Sequence, residues 1–404
     1  MIRRRTVLAG AGAIVGASYG KARAETGVTD DEIRIGLFGA LSGPLAINSV
    51  DAVNAAKAYY ADVNAKGGVN GRKIRLIVED EKCSPAEANA VVRKLMTMDN
   101  VFALHGGSCS GVVVSLQELA NREKIPHLFL NASGDSAVYP PTRYQFGSFA
   151  GTERSTMAAV MTFAAKTLGG KRLAIIGPDD DMGRAASRFA RASAKKLGVE
   201  IVTVETAANN QTDVTVPLLN TRAAKPDVIL LTTYTAPTVL VLQKAHEFGM
   251  TTPMVGAVQA MSSAPPAFAK AVGDNAALAN FYYTNALASQ LGTPRLQPFM
   301  DMFAKAYPSI TSPSQVMPYG FNSTIAMIKG LEAAGRDLTR ERFVEAMQTL
   351  DYESPITVGR IKFGPQRRDS VRGQVVIKWD GKTLTQQPGS YEWDELVSPD
   401  DPLL

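Results

Sequence analysis

The sequence predicts an α/β protein of two lobes, each a parallel sheet covered by helices, with a cleft between them. Three observations carry this expectation. Short β-rich apolar runs alternate with amphipathic helical runs from residue 33 onward, and that alternation makes each connection a crossover between parallel strands. The pattern halts around residues 144–150 and then restarts. A chain of 404 residues also exceeds one ordinary domain and can bury a large core in two.

The chain opens on residues 1–24, in which Arg3, Arg4 and Arg5 precede a short Ala- and Gly-rich apolar run ending in Ala22-Arg23-Ala24. That is the pattern of an export signal. Arg4 and Arg5 before Thr6, Val7 and Leu8 fit its twin-arginine form, so the expectation is a periplasmic protein cut after Ala24, with Glu25 first. No Cys follows the cut, so no lipid anchor is expected. The GAGAIVG run follows no strand and spaces its third Gly one residue late, unlike a dinucleotide fingerprint. The leader holds five of the 43 Lys and Arg residues and no acid, leaving 38 to balance the 38 Asp and Glu. A neutral mature chain gives no reason to expect nucleic acid or an anionic membrane as partner. No later apolar run reaches membrane-spanning length.

In the first lobe, residues 33–38 read as a strand followed by the loop GALSGPLA. Residues 51–65 have helical spacing closed by Lys66-Gly67-Gly68, residues 73–79 form the next strand and 85–98 the next helix. Residues 101–135 then read as a βαβ unit whose loops, 106–111 and 131–135, follow the carboxyl ends of strands, where open parallel sheets bind ligands. The loops carry Ser108, Ser110 and Ser133 with open backbone N–H groups, and Gly111 leads into a helix N-terminus whose dipole favours an anion. A small carboxylate suits that setting. The plainer reading is that these loops turn the chain and cap helices.

In the second lobe, helices over 153–168, 183–197, 214–224 and 236–248 alternate with strands over 172–177, 199–205, 227–232 and 254–257. The last section differs, with helices over 296–307, 322–334 and 339–350 and a closing β-pair of 359–363 with 373–379. Late helices must pack back on an existing sheet, so the chain is expected to cross between lobes near residues 147, 280 and 357. The first lobe is then 25–147 with 281–357, and the second 148–280 with 358–404.

Only three histidines occur, His105, His127 and His246, none with a Cys, His or acidic partner at ligand spacing. No metal or other cofactor is therefore expected. Each reads as a structural His, His105 being the one placed to touch a ligand. The segment Gly107-Ser108-Cys109-Ser110-Gly111 has the G-x-nucleophile-x-G form of the α/β-hydrolase elbow, with Cys109 at its apex. A working Cys needs a thiolate and a base. His127, however, begins the adjacent strand at the end away from the loops, and His246 belongs to the second lobe. An enzyme is not expected, and a secreted Cys109 hydrolase is kept as the alternative. Cys83 and Cys109 are the two cysteines, and an even pair in an exported chain favours a disulfide over two buried thiols. Asp179, Asp180 and Asp181 read as a solvated helix start, and Tyr59, Tyr60, Tyr282 and Tyr283 as core or hinge packing. Tyr234 differs, since it follows a second-lobe strand at its carboxyl end and can close over a ligand held by the first lobe.

IRIGLFGALSGPLA, NAAKAYYADVNAKGGVNGRKIRLIVEDEKCSPAEA, VFALHGGSCSG, NASGD and KRLAIIGPDDDMGRAA together resemble the periplasmic solute-binding proteins of ABC importers, of the leucine/isoleucine/valine-binding type. The resemblance spans nearly the whole mature chain, with VNAKGGVNGRKI and the SGP loop its more specific parts. It implies the type I periplasmic binding protein fold, two Rossmann-like lobes joined by three hinge crossings. It further implies a monomer that captures a small organic solute (a carboxylate, aromatic acid, amide or amino acid) in the cleft and delivers it to permease subunits in the inner membrane. A ligand-sensing subunit for a receptor kinase shares the fold. By the resemblance, first-lobe contacts fall on Ser108, Cys109 and Ser110 in one loop and on Ala132 and Ser133 in the other. Second-lobe contacts fall near Met182, Tyr234 and the loop after 254–257, with Phe149 within reach. Where amino-acid binders of the family place an aromatic residue and an acid to hold the ligand ammonium, this chain has Asn48 and Val258-Gln259. That points to an acid or amide with an apolar or aromatic body. Glu153, near the second-lobe wall, is the acid most able to rescue amino-acid binding.

Overall fold

From β1 (Glu32–Gly39) the chain runs through α1 (Val50–Ala65), β2 (Lys73–Asp80), α2 (Pro85–Thr97), β3 (Ala103–Gly106), α3 (Ser110–Ser115), α4 (Gln117–Arg122), β4 (His127–Leu128), α5 (Asp135–Val138) and β5 (Gln145–Phe146). These strands pair in parallel in the order β2-β1-β3-β4-β5. The computed structural model describes residues 25–147, 149–288, 293–392 and Leu396. The expected leader and its cut after Ala24 lie outside the described residues. Propensity explains several boundaries. Ser84 caps α2 by accepting from Glu87 N at 3.4 Å, with Pro85 at the first helical position. The single helix expected after Gly111 is instead the six-residue α3 and α4, broken at Leu116, where the run Val112-Val113-Val114 disfavours helix.

The second lobe follows as α6 (Glu153–Thr162), β6 (Arg172–Gly177), α7 (Asp181–Leu197), β7 (Glu200–Thr206), α8 (Thr215–Ala223), β8 (Val228–Leu231), α9 (Thr235–Glu247), β9 (Met254–Gly256), α10 (Pro265–Val272) and β10 (Phe281–Asn285). After it come α11 (Gln297–Ala306), α12 (Met317–Ala334), α13 (Arg340–Gln348), β11 (Asp351–Glu353), β12 (Arg360–Lys362), β13 (Val375–Trp379) and β14 (Leu384–Gln386). The second sheet has the order β14-β13-β10-β9-β8-β6-β7, parallel from β10 to β7 and antiparallel at β13 and β14.

Two boundaries differ from the sequence expectation. Residues 281–285, expected in the first lobe, form β10 between β9 and β13, so the crossing expected near 280 comes after Asn285. The 359–363 and 373–379 segments do not pair with each other. β12 pairs with β11, a short strand whose Asp351 takes Arg360 at 2.6 Å, while β13 joins β10 and β14. Ile361, Phe363 and Val371 pack in the first-lobe core, so the crossing expected near 357 lies between Val371 and Val375.

The late helices do return to the first sheet. Gly320 permits close approach of α12 to α1, since a Cβ there would lie 2.0 Å from the Ala52 carbonyl oxygen. Phe343 of α13 meets Phe102 edge-on at 5.7 Å. Ser108, after the carboxyl end of β3, and Tyr234, after that of β8, line one space between the two sheets.

Candidate functional site

The loop after β3 turns at Gly107, whose φ of +90° is open to glycine and whose Cβ would lie 2.4 Å from Val113 Cγ1. That turn sets Ser108 and Ser110 at the cleft. Ser108 Oγ donates to Ser49 Oγ at 2.6 Å, and Ser108 N–H points to Glu81 Oε1 at 3.4 Å. Ser110 Oγ donates to Glu153 Oε1 at 2.7 Å and accepts from Gly134 N at 3.2 Å. Gly134, at φ +42°, turns the next N–H, that of Asp135, onto Glu153 Oε2 at 2.6 Å. Glu153 starts α6, so a second-lobe carboxylate bridges both first-lobe loops.

A second contact across the cleft runs from Gln259 Nε2 to Ser133 Oγ at 2.5 Å. Between the lobes lies a cavity of about 20 Å³, room for about one water. Asn48, Ser108 and Asn131 line it from the first lobe, and Tyr234, Val258, Gln259 and Ser262 from the second. Val316 and Tyr319 reach it from α12 and the residue before it.

The expected site residues thus fall into three groups. Asn48, Ser108, Tyr234 and Gln259 line the cavity, and Ser110 and Ser133 make the contacts that span the lobes. Cys109, Ala132, Phe149 and Met182 do not line it. Cys109 is bonded to Cys83, with Cα atoms 5.6 Å apart, and packs among Val112 and Leu116. Ala132 packs with Val113 and Phe129, Phe149 meets Phe363 edge-on at 6.1 Å in the first-lobe core, and Met182 is buried in the first turn of α7. Asn131 opens the flagged loop 131–135 but is not among the expected site residues, which in that loop are Ala132 and Ser133. Tyr319 carried no local signal, because only the fold returns α12 to the cleft.

Burial controls the charges. The Glu81 carboxyl is fully buried and pushed up to about 7 by desolvation, partly offset by the Ser108 N–H. Glu153 is also raised, first by burial and then by the nearby Asp135 charge. Asp135 pairs with Arg154 at 2.8 Å, and that guanidinium lies 3.9 Å from the Tyr139 ring centroid. The Tyr234 hydroxyl is raised by burial and by Asp180, Glu153 and Glu81, against a backbone hydrogen bond from Ser110.

His105, expected as the histidine that could touch a ligand, is buried instead. It sits between Tyr60 Oη at 3.0 Å and Ser323 Oγ at 2.9 Å, and burial lowers it to about 3. His127 bonds Gly106 O and Gln145, lowered to about 4 by burial. The elbow reading needs a Cys109 thiolate, and the disulfide removes it. Among the described residues no group of three His, Cys, Asp or Glu could hold a metal ion, and no helix is long and apolar enough to cross a membrane.

Residues 32–383 match the family model described as periplasmic binding protein. The chain belongs to that family. It has the type I periplasmic binding protein fold. A Leu/Ile/Val-binding protein homolog 7 of Brucella abortus is 24% identical over 389 residues, covering 91% of this chain and 94% of the relative. The branched-chain amino acid transporter substrate-binding protein LivJ of Streptococcus pneumoniae, solved with isoleucine, superimposes with a TM-score of 0.76 at 20% identity, over 88% of this chain and 99% of that one. A solute-binding protein of an ABC transporter from Rhodopseudomonas palustris, solved with 3,4-dihydroxybenzoic acid, gives a TM-score of 0.78 at 20% identity, over 92% and 99%.

Proposed function

We propose that this binding protein is the periplasmic receptor of an ABC importer, exported by its twin-arginine leader, cut after Ala24 and acting as a monomer. It captures a small organic solute between the lobes and presents it to the permease subunits. The observation that carries the reading is a cavity walled by polar side chains from both lobes, buried Asn48 and Ser108 opposite buried Tyr234 and half-buried Gln259. Contacts split in this way are completed only when the cleft shuts, so a bound solute favours the closed form. Relatives that carry amino acids or aromatic acids support a small organic ligand.

A thermal-shift screen of the mature protein against amino acids, aromatic acids, short acids and amides tests the reading. It expects one class to raise the melting temperature and to lose that effect in Tyr234→Ala. No shift with any class would count against it. Sequencing the periplasmic protein should return Glu25 first, and full-length protein in the cytoplasm would refute the export reading.

A further inference from the structure

The cavity leaves buried amide atoms without partners. Asn48 lines it at 3% exposure, with neither Oδ1 nor Nδ2 in a hydrogen bond. Asn131 Oδ1 beside it, and Glu81 Oε2 behind Ser108, also have no partner among the described residues. Asn131 spends its Nδ2 on the Asn48 carbonyl at 2.7 Å. Asn48 Nδ2 therefore offers a ligand N–H donors, and the Asn48 and Asn131 oxygens offer acceptors, side by side.

Three donors of the first-lobe loops are, by contrast, already engaged. Ser110 Oγ and Asp135 N serve the Glu153 carboxylate at 2.7 and 2.6 Å, and Ser108 Oγ serves Ser49 at 2.6 Å. A ligand carboxylate brings acceptors only. It would meet the Ser110 hydroxyl and the Asp135 N–H already held by the Glu153 carboxyl group and leave the Asn48 and Asn131 oxygens buried and unpaired, which is costly. A primary amide brings one carbonyl oxygen and two N–H groups. It can exchange a reciprocal pair with Asn48 and give its second N–H to Asn131.

We propose that the cleft selects an uncharged carboxamide head group over the matching carboxylate, and that Glu153 sets this preference by occupying the anion-receiving groups of Ser110 and Asp135. The inference rests on the cleft being the solute site. The two oxygens of Glu153 fill the places a ligand carboxylate would take, and Asn48 reads the amide.

The test is calorimetry of the mature wild type, Glu153→Ala and Asn48→Leu against matched pairs: isovaleramide and isovalerate, benzamide and benzoate, 4-hydroxybenzamide and 4-hydroxybenzoate, with leucine alongside. Wild type should bind an amide at least about tenfold tighter than its carboxylate. Glu153→Ala should narrow that ratio about tenfold by gaining carboxylate affinity, and Asn48→Leu should narrow it by losing amide affinity. A carboxylate or leucine bound as tightly as the amides by wild type overturns the inference while leaving solute capture standing, as does an unchanged ratio in both variants. Binding of no compound to any of the three proteins overturns the inference together with the reading of the cleft. Should Glu153→Ala fail to fold, the wild-type ranking and Asn48→Leu still decide.

Discussion

Glu81 is the residue whose burial has the plainest measurable consequence. Its carboxyl, near 4.5 when unfolded, is raised to about 7, so the folded protein holds a proton that the unfolded chain has released. That contribution to stability is complete below the unfolded value and is lost as pH rises through the folded one. The loss amounts to up to about 3 kcal/mol. Melting temperature should fall between about pH 4.5 and about pH 8. Glu81→Gln should remove part of that fall, with Glu153, raised in the same direction, carrying the rest. A variant slope equal to that of wild type contradicts this. Gln259→Ala removes the contact to Ser133 across the cleft. Losing about 1 kcal/mol of closing energy should weaken ligand binding about fivefold by calorimetry. Unchanged affinity would show that this contact does not help to hold the lobes shut. At this scale the sequence was informative where residues follow strand ends, as Ser108 and Tyr234 do. It was silent on Glu81, whose burial depends on packing between β2 and the β3 loop.

The disulfide belongs to the scale of elements, since it ties the start of α2 to the first residues of α3. Closing a loop with a sequence separation of 26 restrains the unfolded chain by about 3 kcal/mol. Cys83→Ser with Cys109→Ser should lower the denaturation free energy by about that amount, and non-reducing mass spectrometry of exported protein should find no free thiol. Two free thiols in that material would refute the bridge. Element order was legible because period-2 and period-3.6 runs alternate clearly from β1 to β9. The failures share a cause: β10 and β11 are short, and their assignment depends on partners more than on pattern. β10 reads FYYTN and offers no alternation, yet β9 and β13 flank it.

For the whole molecule, two lobes and three crossings followed from the restart of the βα pattern and from helices too late to stand alone. The positions of the second and third crossings did not, because neighbouring strands decide which sheet a segment joins. Glu153 and Gln259 hydrogen-bond across the cleft, and a solute held between the lobes favours that closed arrangement, so ligand saturation should reduce the radius of gyration measured by small-angle scattering. An unchanged radius on saturation would contradict closure as the binding step. A crystal structure of the mature protein with the tightest compound of the screen tests the interlobe site most directly. Density for the compound is expected between Asn48 and Ser108 on one side and Tyr234 and Gln259 on the other. Density instead in the second-lobe surface cavity of about 300 Å³ beside His246 and Met250 would contradict it.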